Sequence, residues 1–307
     1  MISRTAFVRG PAIVTFNGAT FHSKGDIEFE LGVETFPVET AIHGKVDERV
    51  RERVARVRFT PAGEWENLSV LWPYASTSIG ASIFTGSDLP LVIQGADGRK
   101  VTLSAAAVTK MPDIILSTTR TLIGQVEFTG IGSDTIPWTT ADSLVAEASN
   151  AYSDITFSPS AILTQPYTAA WGASPPWSSF ETLEGFTVSF ETSFGDVSTD
   201  AGGLIDMTLG GIAVVARCQP VGISQAQLIT AIGVQGTGNA RGRSLLAGAN
   251  NLVISGTGVV VTVRKANIRT APLRYGNTTP RIGEVEFVAN REFSTGVAQP
   301  LFAVATS

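Results

Sequence analysis

Apolar and polar residues alternate along much of this chain, and the alternating blocks are separated by Gly, Pro and Asn. A period of two predicts half-buried strands. Ala12 to Phe16 and Asp26 to Leu31 read as strands, with turn chemistry at Asn17-Gly18. Lys45 to Phe59 fits two periods. Its Val46, Val50, Val54 and Val57, interleaved with Arg and Glu, also suit an amphipathic helix. Helical spacing is clearer at Glu64 to Leu71, where Trp65, Leu68, Leu71 and Trp72 precede Pro73. It recurs at Ser224 to Ile232, with Ser224 placed as an N-cap. Hairpins are predicted at Leu91 to Gln94 with Lys100 to Ser104, and at Leu252 to Ser255 with Val259 to Arg264. Gly124 to Thr129 and Gly283 to Ala289 read as closing strands.

The order of elements occurs twice. Ile123-Gly124-Gln125-Val126-Glu127-Phe128 returns as Ile282-Gly283-Glu284-Val285-Glu286-Phe287, 159 positions on. Arg58 to Gly63 meets Arg217 to Gly222 at the same shift, and Gly25 to Glu30 aligns loosely with Gly185 to Phe190. This predicts a tandem duplication of one domain of roughly 120 residues. The second copy settles the ambiguous block. Ile205 to Val215 carries Gly210-Gly211 and β-branched residues, poor material for a helix interior. Both blocks therefore read as strands, at least from Val54 and Ile212 onward. The expected fold is mainly β (α+β), with two tandem antiparallel sandwich- or barrel-like modules that each hold one helix. The modules span 1–130 and 177–293, with a connecting insertion at 131–176 and an extension at 294–307. Ala169 to Trp177 is placed to replace the first strands of the second module. The apolar tail Val297 to Ser307 is expected to dock, on its own domain or on a neighbour.

Composition narrows the function classes. A net charge of -5 argues against a protein that works by neutralising phosphates. The single Cys218 aligns with Phe59 and reads as a small buried hydrophobe. No apolar run reaches the length of a membrane span. Arg4, Arg9, Gly10 and Pro11 interrupt the N-terminal apolar residues, so no signal peptide is expected. Between Arg120 and Arg217 there is no Lys or Arg, only acids from Glu127 to Asp206. That stretch is either a set of solvated loops or an acidic face that meets a basic patch or repels polyanions.

Candidate chemistry is sparse. His22 and His43 have no equivalents in the second half, and no spacing resembles a zinc site. Gly236 to Gly242 is glycine-rich but lacks the Lys-Ser/Thr end of a phosphate loop. No catalytic, cofactor-binding or metal residues are expected. Glu127 and Glu286 recur on equivalent strands, as a shared lining or interface position or as the outward face of an amphipathic strand. Lys45 to Arg58 mixes Lys and Arg with Asp and Glu, while its copy is nearly free of charge. Two copies of one module that differ mainly in charge suggest different neighbours.

A duplicated module of hairpins with one helix, moderate acidity and no active site resembles the major tail tube proteins of long-tailed bacteriophages. The resemblance covers roughly 7–130 and 177–293 and rests on element order. The paired strands of Asp26 to Phe59, the helix Glu64 to Leu71, the hairpin Leu91 to Ser104 and the strand Gly124 to Thr129 are matched in the second half. It implies trimeric, pseudo-sixfold rings stacked into a tube that DNA traverses without specific binding. The implied partners are further copies of the chain, a tape measure protein, and tail terminator and distal-tail proteins, with no membrane. Glu127 and Glu286 become lumen-lining candidates. Glu39, His43, Lys45, Asp47, Glu48, Arg49, Arg51, Asp196 and Asp200 become inter-ring candidates on the loops Val33 to Arg53 and Thr192 to Asp206. Twenty-four strands in such a ring give a barrel about 45 to 50 Å across, wide enough for a duplex. The alternatives are a two-domain carbohydrate-binding module using Trp138, Trp171 and Trp177, or another virion ring component such as a tail terminator or distal-tail adaptor.

Overall fold

The computed structural model describes residues 12–63, 65–84, 89–96, 98–119, 121–131, 145–149, 165–174, 176–199, 203–233, 244, 246–274, 282–291, 293–294 and 297–305. The ambiguous block is strand along its whole length. Gly44–Phe59 pairs with Glu28–Thr40 as one long hairpin. Its β-branched valines suit a pleated surface, and the hairpin supplies every cross-strand partner that a solvated ribbon needs. Val33 to Arg53 is therefore not a loop, as the sequence suggests, but the outer part of this hairpin. The same correction holds for the described parts of Thr192 to Asp206, residues 192–199 and 203–206.

The first half comprises β1 (Ala12–Phe16), β2 (Ala19–Ser23), β3 (Glu28–Thr40), β4 (Gly44–Phe59), β5 (Pro61–Ala62), α1 (Trp65–Leu68), β6 (Leu91–Gly95), β7 (Arg99–Leu103), β8 (Ala105–Lys110), β9 (Ile114–Leu116), β10 (Thr121–Ile123) and β11 (Val126–Ile131). After β12 (Val145–Ser149) come β13 (Thr168–Trp171), β14 (Glu181–Thr199), β15 (Gly203–Val221), α2 (Gln225–Ile232), β16 (Asn250–Gly256), β17 (Val259–Thr270) and β18 (Val285–Val288). Short β19 (Phe293–Ser294), β20 (Val297–Ala298) and β21 (Phe302–Ala305) complete the chain. The first helix is shorter than expected: α1 gives way to a 3-10 turn at Ser69–Leu71 before Pro73. The second keeps its predicted cap. Ser224 Oγ accepts from the Gln227 N–H at 3.3 Å, Gln227 Oε1 accepts from the Ser224 N–H at 2.8 Å, and Gly233 ends the helix at φ 70°.

Sheet order repeats. One four-stranded sheet runs β3-β4-β11-β8, and the larger sheet contains β14-β15-β18-β17 in the corresponding order. In the first half β1 pairs with β6 and β6 with β7; in the second, β13 pairs with β16 and β16 with β17. Thr168–Trp171 thus pairs with β16 as β1 pairs with β6. Register also agrees. Leu31↔Ala55 corresponds to Phe190↔Val214, and Val57↔Phe128 corresponds to Ala216↔Phe287. The first hairpin bulges after Glu34 and after Val38; the second bulges after Ser193 and after Val197, each 159 positions on. A bulge adds an unpaired residue and bends the ribbon, so both hairpins bend at the same places.

Aromatic side chains join the layers. Phe16 of β1 meets Phe128 of β11 edge-on at 4.8 Å, and Phe59 stacks between Phe21 and Phe128 at 6.0 Å from each. Trp171 of β13 meets Phe287 of β18 at 5.7 Å, with Trp177 and Phe180 around them. One continuous core contains residues of both halves. The halves also share a sheet, because β9 pairs with β14 and carries β10 outside it. The connection contributes as well: β12 extends the first half's other sheet by pairing with β7. At the far end β21 pairs with β17, so the apolar tail docks on its own chain.

Candidate functional site

Two surfaces stand out: the pair of long hairpins, and the polar faces of the β3-β4-β11-β8 sheet and of the β14-β15-β18-β17 part of the larger sheet. On the first sheet, Glu28, Arg58 and Glu127 occupy one cross-strand row. The Arg58 guanidinium lies 2.6 Å from Glu127, 3.3 Å from Glu30 and 3.9 Å from Glu28. In the second half Arg217 lies 3.1 Å from Glu286 and 3.7 Å from Glu191, and Arg269 Nε also donates to Glu286. Arg217 takes the place of Arg58 and Glu286 that of Glu127, and each pair is separated by 69 residues in sequence. The opposite side of these strands is core, with Val57, Phe128, Ala216 and Phe287 all buried.

Glu127 and Glu286, singled out from sequence, are therefore not bare acids. Each is bonded to an arginine of the adjacent strand. Burial raises the Glu286 carboxyl, and hydrogen bonds from Arg269 and Arg217 outweigh it and hold the group below the ordinary carboxylate range. A group depressed in the folded state stabilises fully above its unfolded pKa, and that contribution is lost as pH falls through the folded value. Glu286→Gln is accordingly expected to flatten the fall in urea-unfolding midpoint between about pH 5 and pH 3 relative to the parent. Parallel curves for the two proteins would remove Glu286 from the acid response.

The hairpins differ in surroundings. The second hairpin is clamped by a first-half segment. Trp72 packs on Phe190 at 6.1 Å and Tyr74 on Phe194 at 5.7 Å, and Phe302 covers Phe190 from the other end of the chain at 4.6 Å. Backbone bonds join Gly80 N–H to Leu209 O at 2.8 Å, Leu209 N–H to Ala81 O at 2.9 Å and Ile83 N–H to Met207 O at 2.8 Å. Ser82 Oγ donates to Asp206 at 2.6 Å. Near the tip, Leu204 and Met207 join Phe84, Ala105 and Ala107 in a small apolar cluster. Beside them β14 runs along β8, where the Thr192 hydroxyl donates to Thr109 O at 3.3 Å.

Among the described residues the first hairpin has no such cover. Leu31 is 62% exposed where its equivalent Phe190 is 6% exposed, and Val50 is 49% exposed where Leu209 is fully buried. Val33, Phe36, Ile42 and Val46 are also exposed. The sequence candidates Glu39, Lys45, Asp47, Glu48 and Arg49 lie in this hairpin, and His43 lies in its terminal turn, all solvent-exposed. Lys45 bridges Glu48 at 3.0 Å, and Arg49 approaches Asp47 at 3.8 Å. Arg51 lies in β4, Asp196 is exposed in β14, and Asp200 lies outside the described residues. What the sequence missed is the clamp at Trp72–Phe84; the aromatic pair Trp72 and Tyr74 around Pro73 was its only local signal.

Trp171 and Trp177 are each 8% exposed, so they cannot serve the exposed aromatic platform that a carbohydrate-binding reading needs, and Trp138 lies outside the described residues. Cys218 is buried, as its alignment with Phe59 predicts, and burial pushes its thiol far up. Among the described residues no helix is long and apolar enough to cross a membrane, and no group of three His, Cys, Asp or Glu side chains is arranged to hold a metal. No protein-family model matches the chain, and no curated protein matches it.

Proposed function

We propose that this chain is a tube-forming structural protein of a virion, a duplicated tail tube subunit whose rings stack into a conduit for DNA. The observation that carries the reading is one strand order in two places, the sheet β3-β4-β11-β8 and the β14-β15-β18-β17 part of the larger sheet, which meet where Thr192 of β14 bonds Thr109 O of β8. Among the described residues the outer side of β3 is unpaired, and so is that of the Asn267–Thr270 end of β17. A band of sheet with two open edges is completed by further copies of itself, and cyclic closure removes the edges. Three copies give the twenty-four strands that surround a duplex. Further copies, a tape measure protein in the bore, and terminator and distal-tail proteins at the ends are the partners in this role, which is structural rather than catalytic.

The polar faces suit a bore. A lining that held phosphates would stall passage, because each neutralised phosphate releases counterions and adds affinity. Here the arginines are already bonded to carboxylates, so the face offers a polyanion little free positive charge. Electron micrographs of concentrated protein are expected to show hollow stacked rings, with three copies per ring by native mass spectrometry. Monomers or dimers alone at every concentration would overturn the proposal. Assembled tubes are expected to bind duplex DNA weakly, and Glu127→Gln with Glu286→Gln to retain it at low salt and release it at high salt. Tight, salt-sensitive binding by the parent tubes would defeat the lining assignment.

A further inference from the structure

The two hairpins match residue for residue yet meet different surroundings, and the difference identifies a missing partner. We propose that the β3–β4 hairpin docks on β17 of a second copy of this chain, in the way that the β14–β15 hairpin docks on β8 of its own. The inference deepens the ring reading above by naming the surfaces that join neighbouring copies.

Register supplies the equivalences. Glu39↔Lys45 corresponds to Ser198↔Leu204, so Lys45 stands where Leu204 stands. Val38↔Asp47 corresponds to Val197↔Asp206, so the next residue, Glu48, stands where Met207 stands. On the receiving strand, Thr129↔Ala107 corresponds to Val288↔Asn267, so Asn267 stands where Ala107 stands and Lys265 where Ala105 stands. The chemistry changes on both sides together. Within the chain, apolar Leu204 and Met207 meet Ala105 and Ala107. The unmatched pair sets Lys45 and Glu48 against Lys265 and Asn267, a polar tip against a polar seat.

Exposure also favours a second copy. The hairpin itself carries Leu31, Val33 and Val50 exposed, with Leu31 and Val50 at the positions that Phe190 and Leu209 bury. An isolated two-stranded ribbon is marginal in water, and covering its apolar residues stabilises it. Six strands separate β3 from β17 of the same chain, counted across the contact of β8 with β14, so the hairpin does not reach its own β17. The contact is head-to-tail, and such contacts close rings when the rotation permits. It directs the hairpin to the neighbour within a ring, not to the ring above.

The test is site-specific crosslinking of the full chain with a short bismaleimide. Cys218 is buried and stays unreactive. Leu204→Cys with Ala107→Cys is expected to form a disulfide within one chain on mild oxidation, since both side chains lie in one buried cluster, which checks the equivalence. Lys45→Cys mixed with Asn267→Cys is expected to give a covalent dimer that neither variant gives alone, and the double variant closed multimers. Glu48→Lys is expected to raise the protein concentration needed for assembly about tenfold or more, with recovery when Lys265→Glu is added. Tubes that form normally without the Lys45–Asn267 crosslink would overturn the docking and leave the tube reading intact. Crosslinked rings that never stack into tubes would support the docking and sink the tube reading. A chain that stays monomeric at every concentration would sink both.

Discussion

Gly185→Ala is expected to destabilise the folded chain by more than about 3 kcal/mol, while Gly25→Ala costs about 1 to 2 kcal/mol. The two glycines align loosely in sequence and have nearly the same left-handed conformation, at φ 90° for Gly185 and φ 92° for Gly25. The strain of placing a side chain there is thus shared. What differs is the space. A Cβ on Gly185 would meet Leu116 O at 2.1 Å and Ser117 Cα at 2.8 Å, whereas a Cβ on Gly25 meets nothing within 4 Å. Gly185 lies in the irregular stretch of β14 between Thr182 and Phe186, and Phe186 pairs with Leu116. The methyl group would push β9 off β14 at the seam between the halves. Urea unfolding of the two variants checks this. Equal losses would mean that the seam yields freely and that only backbone strain is measured.

That seam is also where the sequence was least legible. Strands β9 and β10 are three residues long, and their partner β14 is distant in sequence, so no local pattern encodes the pairing. Strand β8 went unread for another reason. Ala105 and Ala107 pack into one apolar cluster while Ala106 and Val108 enter the main core, and burial on both faces erases the alternation that marks a strand. The outer hairpins fail in the opposite sense. With both faces of Val33 to Arg53 in water there is no buried side for apolar residues to mark, and the mixed charges read as a loop. The Arg58–Glu127 and Arg217–Glu286 pairs needed a register that spacing does not supply, although the repeat had already picked out both glutamates.

Signals that are local in origin were readable. The Ser224 capping box lies within four residues. The Ile-Gly-x-Val-Glu-Phe repeat lies in one strand and the approach to it. The two halves were also worth more together than apart. Glycines in one hairpin excluded the helix that the other allowed, and the strand order then agreed in both. Differences between the copies carry the remaining information. Where the strand order repeats and the side chain does not, what each half touches differs, as at Leu31 and Phe190.

Phe190→Ala and Leu31→Ala test that statement directly. The two residues hold the same register position, opposite Val214 and Ala55. Phe190 is enclosed by Trp72 and Phe302, and its removal leaves a cavity lined by aromatic rings. The expected loss is about 3 to 5 kcal/mol, the range for emptying an aromatic core site. Leu31 is 62% exposed, and its truncation is expected to change the stability of the isolated chain by less than about 0.5 kcal/mol. Unfolding followed by tryptophan fluorescence, at a concentration that keeps the chain unassembled, measures both. The order should change on assembly. If a second copy covers the first hairpin, Leu31→Ala raises the concentration needed for assembly although the free chain is unaffected. A large stability loss for Leu31→Ala in the free chain would mean that its hairpin is already covered, and the asymmetry between the two copies would have no partner to explain.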